Sequence, residues 1–494
     1  MLFNSFNFLV FFPIVVLIYF VIPKKTRYIW LLISSYYFYM CWNAKYALLI
    51  AISTIITWIS GLLLHKFKNI GARRATVALS FISNLGILFF FKYFDFVLAN
   101  INRILAYADF ELLNNPFDII LPVGISFYTF QALSYTVDVY RGDVDAEKNL
   151  LRYALFVSFF PQLVAGPIER SKNLLSQIQN VQKINVWNYD RIVSGLIQMV
   201  WGLFQKMVIA DRLSILVDHI FYKSNLYGTI ELMLGAVAFA LQIYCDFCGY
   251  STIAIGAARV MGFELMENFD VPYFSTGIKE FWRKWHISLS SWFRDYLYIP
   301  LGGSRCSKIR KYINIMITFL VSGLWHGAAW SFVVWGGLHG LYQILEDVLK
   351  PVREKIIKKL RVNTEVFSYK LGEILITFSL TTFAWIFFRA GSIKVALQYI
   401  ERMFTKWNPW VIFDGSLQKL GLENIELNIL VIAVVILLLV DLLKYKKKVS
   451  FADFLMVQNL WFRWSVLLGL ILGILVVGQY GVEFDSAQFI YFDF

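Results

Sequence analysis

Charged residues are scarce in this chain of 494 residues, and their scarcity excludes an ordinary soluble globular protein. Only 16% of the residues are charged, whereas soluble domains average about 25%. Hydrophobic residues make up 59% of the chain, and the mean hydropathy is +0.61. This balance predicts an all-α, polytopic integral membrane protein, since apolar segments cross a bilayer as helices. We interpret residues 1–494 as one membrane domain rather than dividing the chain by its length.

Cysteine is also rare, with Cys41, Cys245, Cys248 and Cys306 as the four occurrences. Their spacing does not suggest a disulfide framework. Cys245 and Cys248 have CxxC spacing, but they lie in an apolar run without a second pair. Small buried side chains are therefore a better interpretation than a zinc or redox site. The sequence predicts no metal site.

Acidic residues are outnumbered, with 33 Asp and Glu against 46 Lys and Arg and a formal net charge of +13. In a soluble protein this excess would suggest a nucleic-acid partner. Here the basic residues lie in short loops between apolar runs, as Lys24, Lys25 and Arg27 do. The positive-inside rule explains them better. We therefore expect contact with membrane lipids, no nucleic acid, and both termini on the outer side.

Apolar runs long enough to span a bilayer, about 20 residues each, recur along the chain. Together they predict roughly ten or eleven spans plus re-entrant pieces. Residues 150–167 are interrupted by Pro161, Gly166 and Pro167 and predict a re-entrant or tilted segment. The clearest predicted spans are residues 8–22, 28–42, 47–64, 75–99, 119–140, 191–221, 231–261, 369–388, 425–443 and 461–479.

Histidine occurs five times, and His286 lies in an unusual segment that is both charged and aromatic. Across residues 276–304, large apolar side chains recur at spacings of three and four, which predicts an amphipathic helix. Its charges place it at the cytoplasmic interface or dipping inward. Residues four apart share a helix face, so we expect His286 to lie near Trp282 and Ser290.

His326 lies between two basic loops that should both be cytoplasmic. If the helix after Lys311 is unbroken, His326 lies roughly 22 Å along it, within a hydrocarbon core about 30 Å thick. Gly323 and Gly327 flank the histidine and allow a break. A histidine at membrane depth is costly, and it is therefore a candidate functional residue.

A neutral imidazole can accept a proton from a hydroxyl and return it to a leaving thiolate. The sequence has no Gly-x-Ser-x-Gly elbow for a serine nucleophile. Two isolated histidines suit acyl transfer from a thioester to a hydroxyl, and they equally suit a proton-coupled transporter. The residues by themselves leave both possibilities open.

Several motifs resemble those of the membrane-bound O-acyltransferase family. They lie in residues 161–168, 244–251, 281–303 and 322–327, and in the ending 489–494. Among the bacterial branches, the chain is similar to the membrane subunits that O-acetylate alginate and peptidoglycan, and to the D-alanyl transfer protein of teichoic acid modification. The resemblance covers nearly the whole chain. It implies a ring of helices around a central pore.

The resemblance also implies a site. It identifies His326 as the key catalytic histidine and His286 as the second catalytic residue. We expect Trp282, Trp285, Ser290 and Trp325 to bind substrate. The implied donor is a cytoplasmic acyl thioester, either acetyl-CoA or a phosphopantetheine carrier, which acts as a substrate rather than a bound cofactor.

The leading hypothesis is a bacterial cell-membrane enzyme that moves acetyl groups outward for O-acetylation of a cell-wall or exported polysaccharide. The sequence offers no soluble outer domain to hold the glycan, so we expect a secreted or membrane-anchored esterase-like partner. D-alanyl transfer to teichoic acid from a carrier protein is the alternative of the same class. A transporter or flippase of a lipid-linked sugar is the alternative of a different class.

Overall fold

The regular secondary structure consists of helices in the part of the chain described by the computed structural model, which comprises residues 1–117, 120–164, 166–480 and 490. Within these ranges there is no β-strand, and the predicted all-α class is confirmed. Most of the predicted C-terminal motif, residues 489 and 491–494, lies outside the described residues.

Among the described residues, nine α-helices precede residue 180. A π-helical turn, Phe89–Tyr93, joins the fourth and fifth, and another, Ser171–Leu175, precedes the ninth. These helices are α1 (Phe6–Val21), α2 (Arg27–Met40), α3 (Tyr46–Lys66), α4 (Ile70–Leu88), α5 (Phe94–Tyr107), α6 (Ile125–Arg141), α7 (Leu150–Ser158), α8 (Phe160–Leu163) and α9 (Ser176–Gln179).

The remaining described residues contain twelve more α-helices. Two π-helical segments, Phe204–Ala210 and Arg294–Tyr298, follow the first and the fifth of them. The helices are α10 (Tyr189–Leu203), α11 (Asp211–Tyr222), α12 (Thr229–Met261), α13 (Ile278–Lys284), α14 (Ile287–Phe293), α15 (Lys308–His326), α16 (Trp330–Leu360), α17 (Phe367–Arg389), α18 (Ile393–Thr405), α19 (Asn424–Lys447), α20 (Phe451–Met456) and α21 (Leu460–Val477).

Among the described residues, seven helices are long and apolar enough to cross a membrane. Each corresponds to a predicted span. Three further predicted spans are helical but shorter, since α1, α2 and α6 have 16, 14 and 17 residues. The seven are Tyr46–Lys66, Ile70–Tyr107, Tyr189–Tyr222, Thr229–Met261, Phe367–Arg389, Asn424–Lys447 and Leu460–Val477.

The chain forms two compact units. The first comprises Met1–Leu196 and Ala254–Met266, and the second comprises Ile197–Ile253 and Glu267–Phe494. Helices α10 and α12 each contribute residues to both units.

In the first unit, α6 begins after a turn in which Gly124 has φ +76°. A Cβ at this glycine would lie 2.7 Å from the carbonyl oxygen of Leu163, so both the left-handed backbone and the close contact require glycine. The predicted interruption of residues 150–167 is also confirmed, because α7 ends at Ser158 and α8 begins at Phe160.

Glu169 is a fully buried carboxylate just beyond this interrupted segment. It accepts hydrogen bonds from the backbone amide of Met266 at 2.6 Å and from Nδ2 of Asn173 at 2.7 Å. Burial raises the pKa of Glu169 to about 7, even though these hydrogen bonds act in the opposite direction. The carboxylate links two segments of the first unit that are distant in sequence.

A buried ionic cluster lies in the second unit, where the π-helical segment Phe204–Ala210 carries Lys206. Its Nζ lies 2.7 Å from Oδ1 of Asp211 and 2.6 Å from Oδ1 of Asp246. The other oxygen of Asp246 accepts the backbone N–H of Ile490 at 2.8 Å. Asp246 lies in an apolar run, where a carboxylate needs a partner, and Lys206 provides it.

Helices α15 and α16 form a closely packed hairpin in the second unit. A Cβ at Gly323 would lie 2.3 Å from the carbonyl oxygen of Phe332, and one at Gly336 would lie 2.2 Å from that of Phe319. Glycine therefore lets the two backbones touch. Gly323 remains helical, and the break predicted around His326 occurs at Gly327, where α15 ends.

Candidate active site

The helix is interrupted at Trp285 and His286, where the sequence predicted a continuous amphipathic helix over residues 276–304. That prediction is wrong, because the segment forms α13, α14 and a π-helical turn. In an unbroken helix the amide of Ile287 would bond to the carbonyl of Arg283. Instead it donates to the carbonyl of Asn268 at 3.0 Å, while the carbonyl of Lys284 accepts the amide of Asp270 at 3.0 Å. The segment 268–270 thus takes the hydrogen bonds that would have continued the helix.

His286 adopts a left-handed backbone conformation with φ +44°. Positive φ is uncommon for a residue other than glycine, and such strain concentrates at functional sites. The carbonyl of His286 accepts the amide of Ser290 at 2.9 Å, so these two residues are close, as expected. Trp282 belongs to the other short helix and has different neighbours.

The imidazole of His286 is fully buried and lies in a small polar network. Its Nδ1 is 3.2 Å from Oδ1 of Asn268. The same oxygen accepts the hydroxyl of Ser288 at 2.8 Å and the amide of Ser288 at 3.3 Å. The ring of Phe247 contacts the imidazole edge-on, with centroids 4.6 Å apart.

His326 is the last residue of α15 and is 3% exposed. Its ring is surrounded by aromatic side chains, with centroid distances of 5.0 Å to Trp335 and 5.5 Å to Phe388. The unbroken helix from Lys308 to His326 confirms the geometric assumption behind its predicted depth. The depth itself stays a prediction.

Trp325 brings the two candidate catalytic histidines into one cluster. Its ring centroid is 5.0 Å from that of His326 and 6.2 Å from that of His286. Trp325 is 4% exposed. Residues forty positions apart in the sequence therefore contact the same indole, as the hypothesis of a shared site requires.

A cavity of about 500 Å³ lies beside this cluster and is formed by α13, α14, the π-helical turn, α15 and α16. Trp282 and Ser290, both predicted to bind substrate, line it. Ile287 and Ser322 also line it; the first follows His286 in the chain, and the second lies one helical turn before His326. The cavity thus reaches the chain neighbours of both histidines.

Trp285 lies in a buried aromatic core rather than among these lining residues. It is 1% exposed, stacks on Phe281 at 5.5 Å and contacts Trp385 at 5.1 Å. The predicted roles of Trp285 and Trp325 in substrate binding stay predictions, as do the roles of the other candidate residues.

Four basic side chains line the cavity, and they differ in how their charge is balanced. Lys279 and Lys311 both pair with Asp347, and Arg294 pairs with Asp295 at 2.8 Å. Within the part of the chain that the structure describes, Arg283 forms no ion pair, and its side chain is exposed. It can therefore offer a positive charge to an anionic ligand. The four lining residues are Lys279, Arg283, Arg294 and Lys311.

Glu280 fixes the beginning of α13, next to the cavity. Its carboxylate accepts the amide and the hydroxyl of Thr276 at 2.8 and 2.7 Å, and it pairs with Lys284 at 2.7 Å. Burial acts to raise the pKa of Glu280, but Lys284 and the hydrogen bonds from Thr276 outweigh it and hold the pKa below its usual value. The ionised side chain lies in the first turn of the helix that carries Trp282 and Arg283, where a negative charge is stabilising.

The described residues contain no group of three or more His, Cys, Asp or Glu side chains that could hold a metal ion. Cys245 and Cys248 are free thiols buried in α12. The Sγ of Cys248 lies 3.8 Å from Nε2 of Gln205 and 3.9 Å from the hydroxyl of Thr252.

Sequence reasoning missed Asn268, which organises the His286 turn. Asn268 precedes His286 by eighteen positions and lies outside the periodic pattern that drew attention to the segment. A polar residue in a non-periodic stretch directly before an amphipathic segment was the available signal. That signal does not specify a partner.

Comparisons with known proteins point to one family. Residues 145–387 match the family model of the membrane-bound O-acyltransferases. The probable alginate O-acetylase AlgI of Pseudomonas aeruginosa is 38% identical over 439 residues, which cover 88% of this chain and 80% of the relative. The peptidoglycan O-acetyltransferase of Helicobacter pylori is 35% identical over 437 residues, covering 82% of this chain and 80% of the relative.

A third relative is more distant. The teichoic acid D-alanyltransferase of Bacillus subtilis is 28% identical over 236 residues, covering 46% of this chain and 59% of the relative. The matched family region contains both candidate histidines and every described residue that lines the cavity. The chain therefore belongs to the membrane-bound O-acyltransferase family, and it is a multi-pass membrane O-acyltransferase.

Proposed function

We propose that this enzyme takes an acetyl group from a cytoplasmic thioester and transfers it across the membrane for O-acetylation of a cell-wall or exported polysaccharide. The observation that carries the proposal is the contact of one indole, Trp325, with both His286 and His326 beside a basic cavity. The two imidazoles can accept and donate a proton, and the basic cavity can accommodate an anionic donor.

The proposed reaction needs a base but no metal. His326 takes the proton of the acceptor hydroxyl while the hydroxyl oxygen attacks the thioester carbonyl carbon. The new C–O bond forms and the C–S bond breaks, and the proton passes from His326 to the leaving thiolate, which departs as a free thiol. His286 accepts or shares this proton during the transfer.

The basic lining supports a donor that carries phosphate, such as acetyl-CoA or a phosphopantetheine carrier. Arg283 provides a positive charge without an acidic partner among the described residues, and Lys279 and Lys311 add two more that share Asp347. Such a concentration of positive charge attracts anionic ligands. The loop before α15 is basic as well, which is the pattern of a cytoplasmic loop.

Acetyl transfer is favoured over D-alanyl transfer by the extent of similarity. The alginate and peptidoglycan O-acetylating relatives match 88% and 82% of this chain, whereas the D-alanyltransferase matches 46%. We further propose a separate secreted or membrane-anchored esterase-like partner, which would deliver the acetyl group to the polysaccharide.

The test uses inverted membrane vesicles containing the full-length protein, supplied with labelled acetyl-CoA or with a labelled D-alanyl carrier protein. We expect consumption of the acetyl thioester, and a loss of at least about 100-fold in His326→Ala, the scale of general-base catalysis. His65→Ala is the control, because His65 is an exposed residue near the end of α3. Consumption of the D-alanyl donor alone would favour the alternative acyl group. Lipid-linked sugar movement without thioester consumption would favour the transporter.

A further inference from the structure

We infer that Asn268 is a positioning residue that holds His286 as the tautomer protonated on Nδ1, so that Nε2 is the nitrogen that takes up a proton. The consequence for catalysis rests on the function proposed above. Asn268 lies outside the predicted site, and its effect on His286 depends on which atoms of the network donate hydrogen bonds and which accept them.

The identity of the Asn268 side-chain atom facing this network follows from Ser288. A backbone amide can only donate a hydrogen bond, and the amide of Ser288 lies 3.3 Å from that atom. The hydroxyl of Ser288 donates to the same atom at 2.8 Å. The atom is therefore the carbonyl oxygen Oδ1, because the amide nitrogen Nδ2 of Asn268 would face a second donor.

The tautomer of His286 follows in turn. Nδ1 of His286 lies 3.2 Å from Oδ1 of Asn268, and an oxygen that only accepts requires a proton on the facing nitrogen. The hydroxyl of Ser288 is also 3.5 Å from Nδ1, but its proton is directed to the closer Asn268 oxygen. In a neutral imidazole with hydrogen on Nδ1, the lone pair is on Nε2.

Burial makes this arrangement specific. His286, Ser288 and Asn268 are each at most 1% exposed, so water does not compete for these hydrogen bonds. The left-handed backbone of His286 and the bond from the Ile287 amide to the Asn268 carbonyl hold the ring and the amide together. The strained backbone of His286 thus keeps its Nδ1 next to Oδ1 of Asn268.

The chemistry of asparagine suits a base that must start neutral. A carboxylate at this position would favour the imidazolium form, whereas an amide oxygen orients the ring without adding a charge. Among the described residues, Asn268, Ser288, Phe247 and Trp325 contact the imidazole, and all four are uncharged. His286 can therefore accept a proton at Nε2 and release it in the same cycle.

The first test is spectroscopic and does not need activity. Nitrogen chemical shifts of ¹⁵N-histidine in the full-length protein in lipid distinguish the two tautomers, and His286→Gln identifies the signal. We expect the wild type to carry its proton on Nδ1 and Asn268→Leu to lose that preference. A wild-type signal with the proton on Nε2 would overturn the inference.

The second test is kinetic. We expect Asn268→Leu to lower kcat for acetyl transfer about 100-fold with little change in KM for the donor. Asn268→Asp retains the acceptor and should recover much of kcat, with the lower limb of the pH–rate profile moved upward by about one unit or more. Asn84→Leu, which removes a buried amide from the first unit, controls for folding.

The two proposals fail in different ways. A wild type that transfers acetyl groups while Asn268→Leu keeps full kcat overturns only the role of Asn268. A wild type that consumes no acetyl thioester, yet holds the Nδ1 proton through Asn268, overturns the proposed function and leaves the positioning of His286 supported.

Discussion

The indole N–H of Trp282 donates a hydrogen bond to Nδ1 of His339 over 3.2 Å. Trp282 lines the cavity, whereas His339 is fully buried behind it, with the ring of Trp335 5.0 Å away. His339 is therefore a structural residue of the cavity wall. The contact gives that role a mechanism, because His339 acts on the cavity wall through Trp282.

Replacing the acceptor should loosen this wall. His339→Phe keeps a ring but leaves the Trp282 N–H buried without an acceptor. We expect the loss of this hydrogen bond to destabilise the cavity wall by about 1–3 kcal/mol. This should appear mainly as a KM for the donor raised by roughly tenfold, with kcat less affected. His339→Gln retains an acceptor and serves as the matched variant. Equal KM values for the two variants would contradict the prediction.

The contact between α15 and α16 should tolerate no added methyl group at Gly336. Because a Cβ there would lie 2.2 Å from the carbonyl oxygen of Phe319, we expect Gly336→Ala to lower the free energy of unfolding by about 1–3 kcal/mol. Gly337→Ala is the control, since its Cβ would be 3.5 Å from Leu320, an ordinary contact. Thermal unfolding in detergent compares them, and identical melting temperatures would refute the assignment.

Removing the cation from the buried ionic cluster should be severe. Lys206→Met would remove the cation that Asp211 and Asp246 share. We expect this to lower the free energy of unfolding by about 3–5 kcal/mol. Adding Asp211→Asn and Asp246→Asn should restore much of the stability, because no charge then remains buried. Melting temperatures of the single and triple variants test this. A triple variant less stable than Lys206→Met would argue against charge as the cause.

Glu169 should make stability depend on pH. The folded protein keeps the carboxyl group of Glu169 protonated up to about pH 7, whereas an exposed glutamate loses its proton near pH 4.5. Between pH 4.5 and about 7 the folded state binds more protons than the unfolded state. The contribution of Glu169 to the free energy of unfolding is therefore complete below about pH 4.5 and is lost as the pH rises through about 7. Glu169→Gln should therefore narrow the difference in melting temperature between acidic and mildly alkaline buffer. An unchanged difference would mean that Glu169 is ionised throughout.

Arg283, which has no ion pair among the described residues, should contribute mainly to binding of the donor. We expect Arg283→Ala to raise KM for acetyl-CoA by about fivefold at low salt, and by less at high salt, where screening already weakens the attraction. Lys350→Ala is a suitable control, because Lys350 is an exposed residue on α16 that does not line the cavity. Initial rates over a range of donor and salt concentrations measure the effect.

Local pattern predicted the long helices well and the His286 turn poorly. The span predicted over residues 231–261 corresponds to α12, Thr229–Met261. The prediction succeeds because a continuous apolar run can be read from neighbouring residues alone. The turn depends instead on Asn268 and Asp270, which bond to Ile287 and Lys284 across a gap in sequence. Periodicity over residues 276–304 contains no information about those bonds.

The candidate site shows the same division. Composition and spacing singled out His286 and His326, and the resemblance to a family supplied their roles. Their shared contact with Trp325 and the network around Asn268 depend on how α14 and α15 pack. Side-chain packing between segments distant in sequence is not encoded in either segment alone.

The touching backbones at Gly323 and Gly336 have a consequence for how the enzyme opens. Two helices in contact through their main chains resist sliding past each other. Helices α15 and α16 should therefore move as one rigid body that carries His326. Donor and acceptor are proposed to arrive from opposite sides, and some part of the protein must then yield to admit each in turn. Because the hydrogen bonds of Asn268 also hold the turn at His286, that movement should occur outside both of these rigid parts.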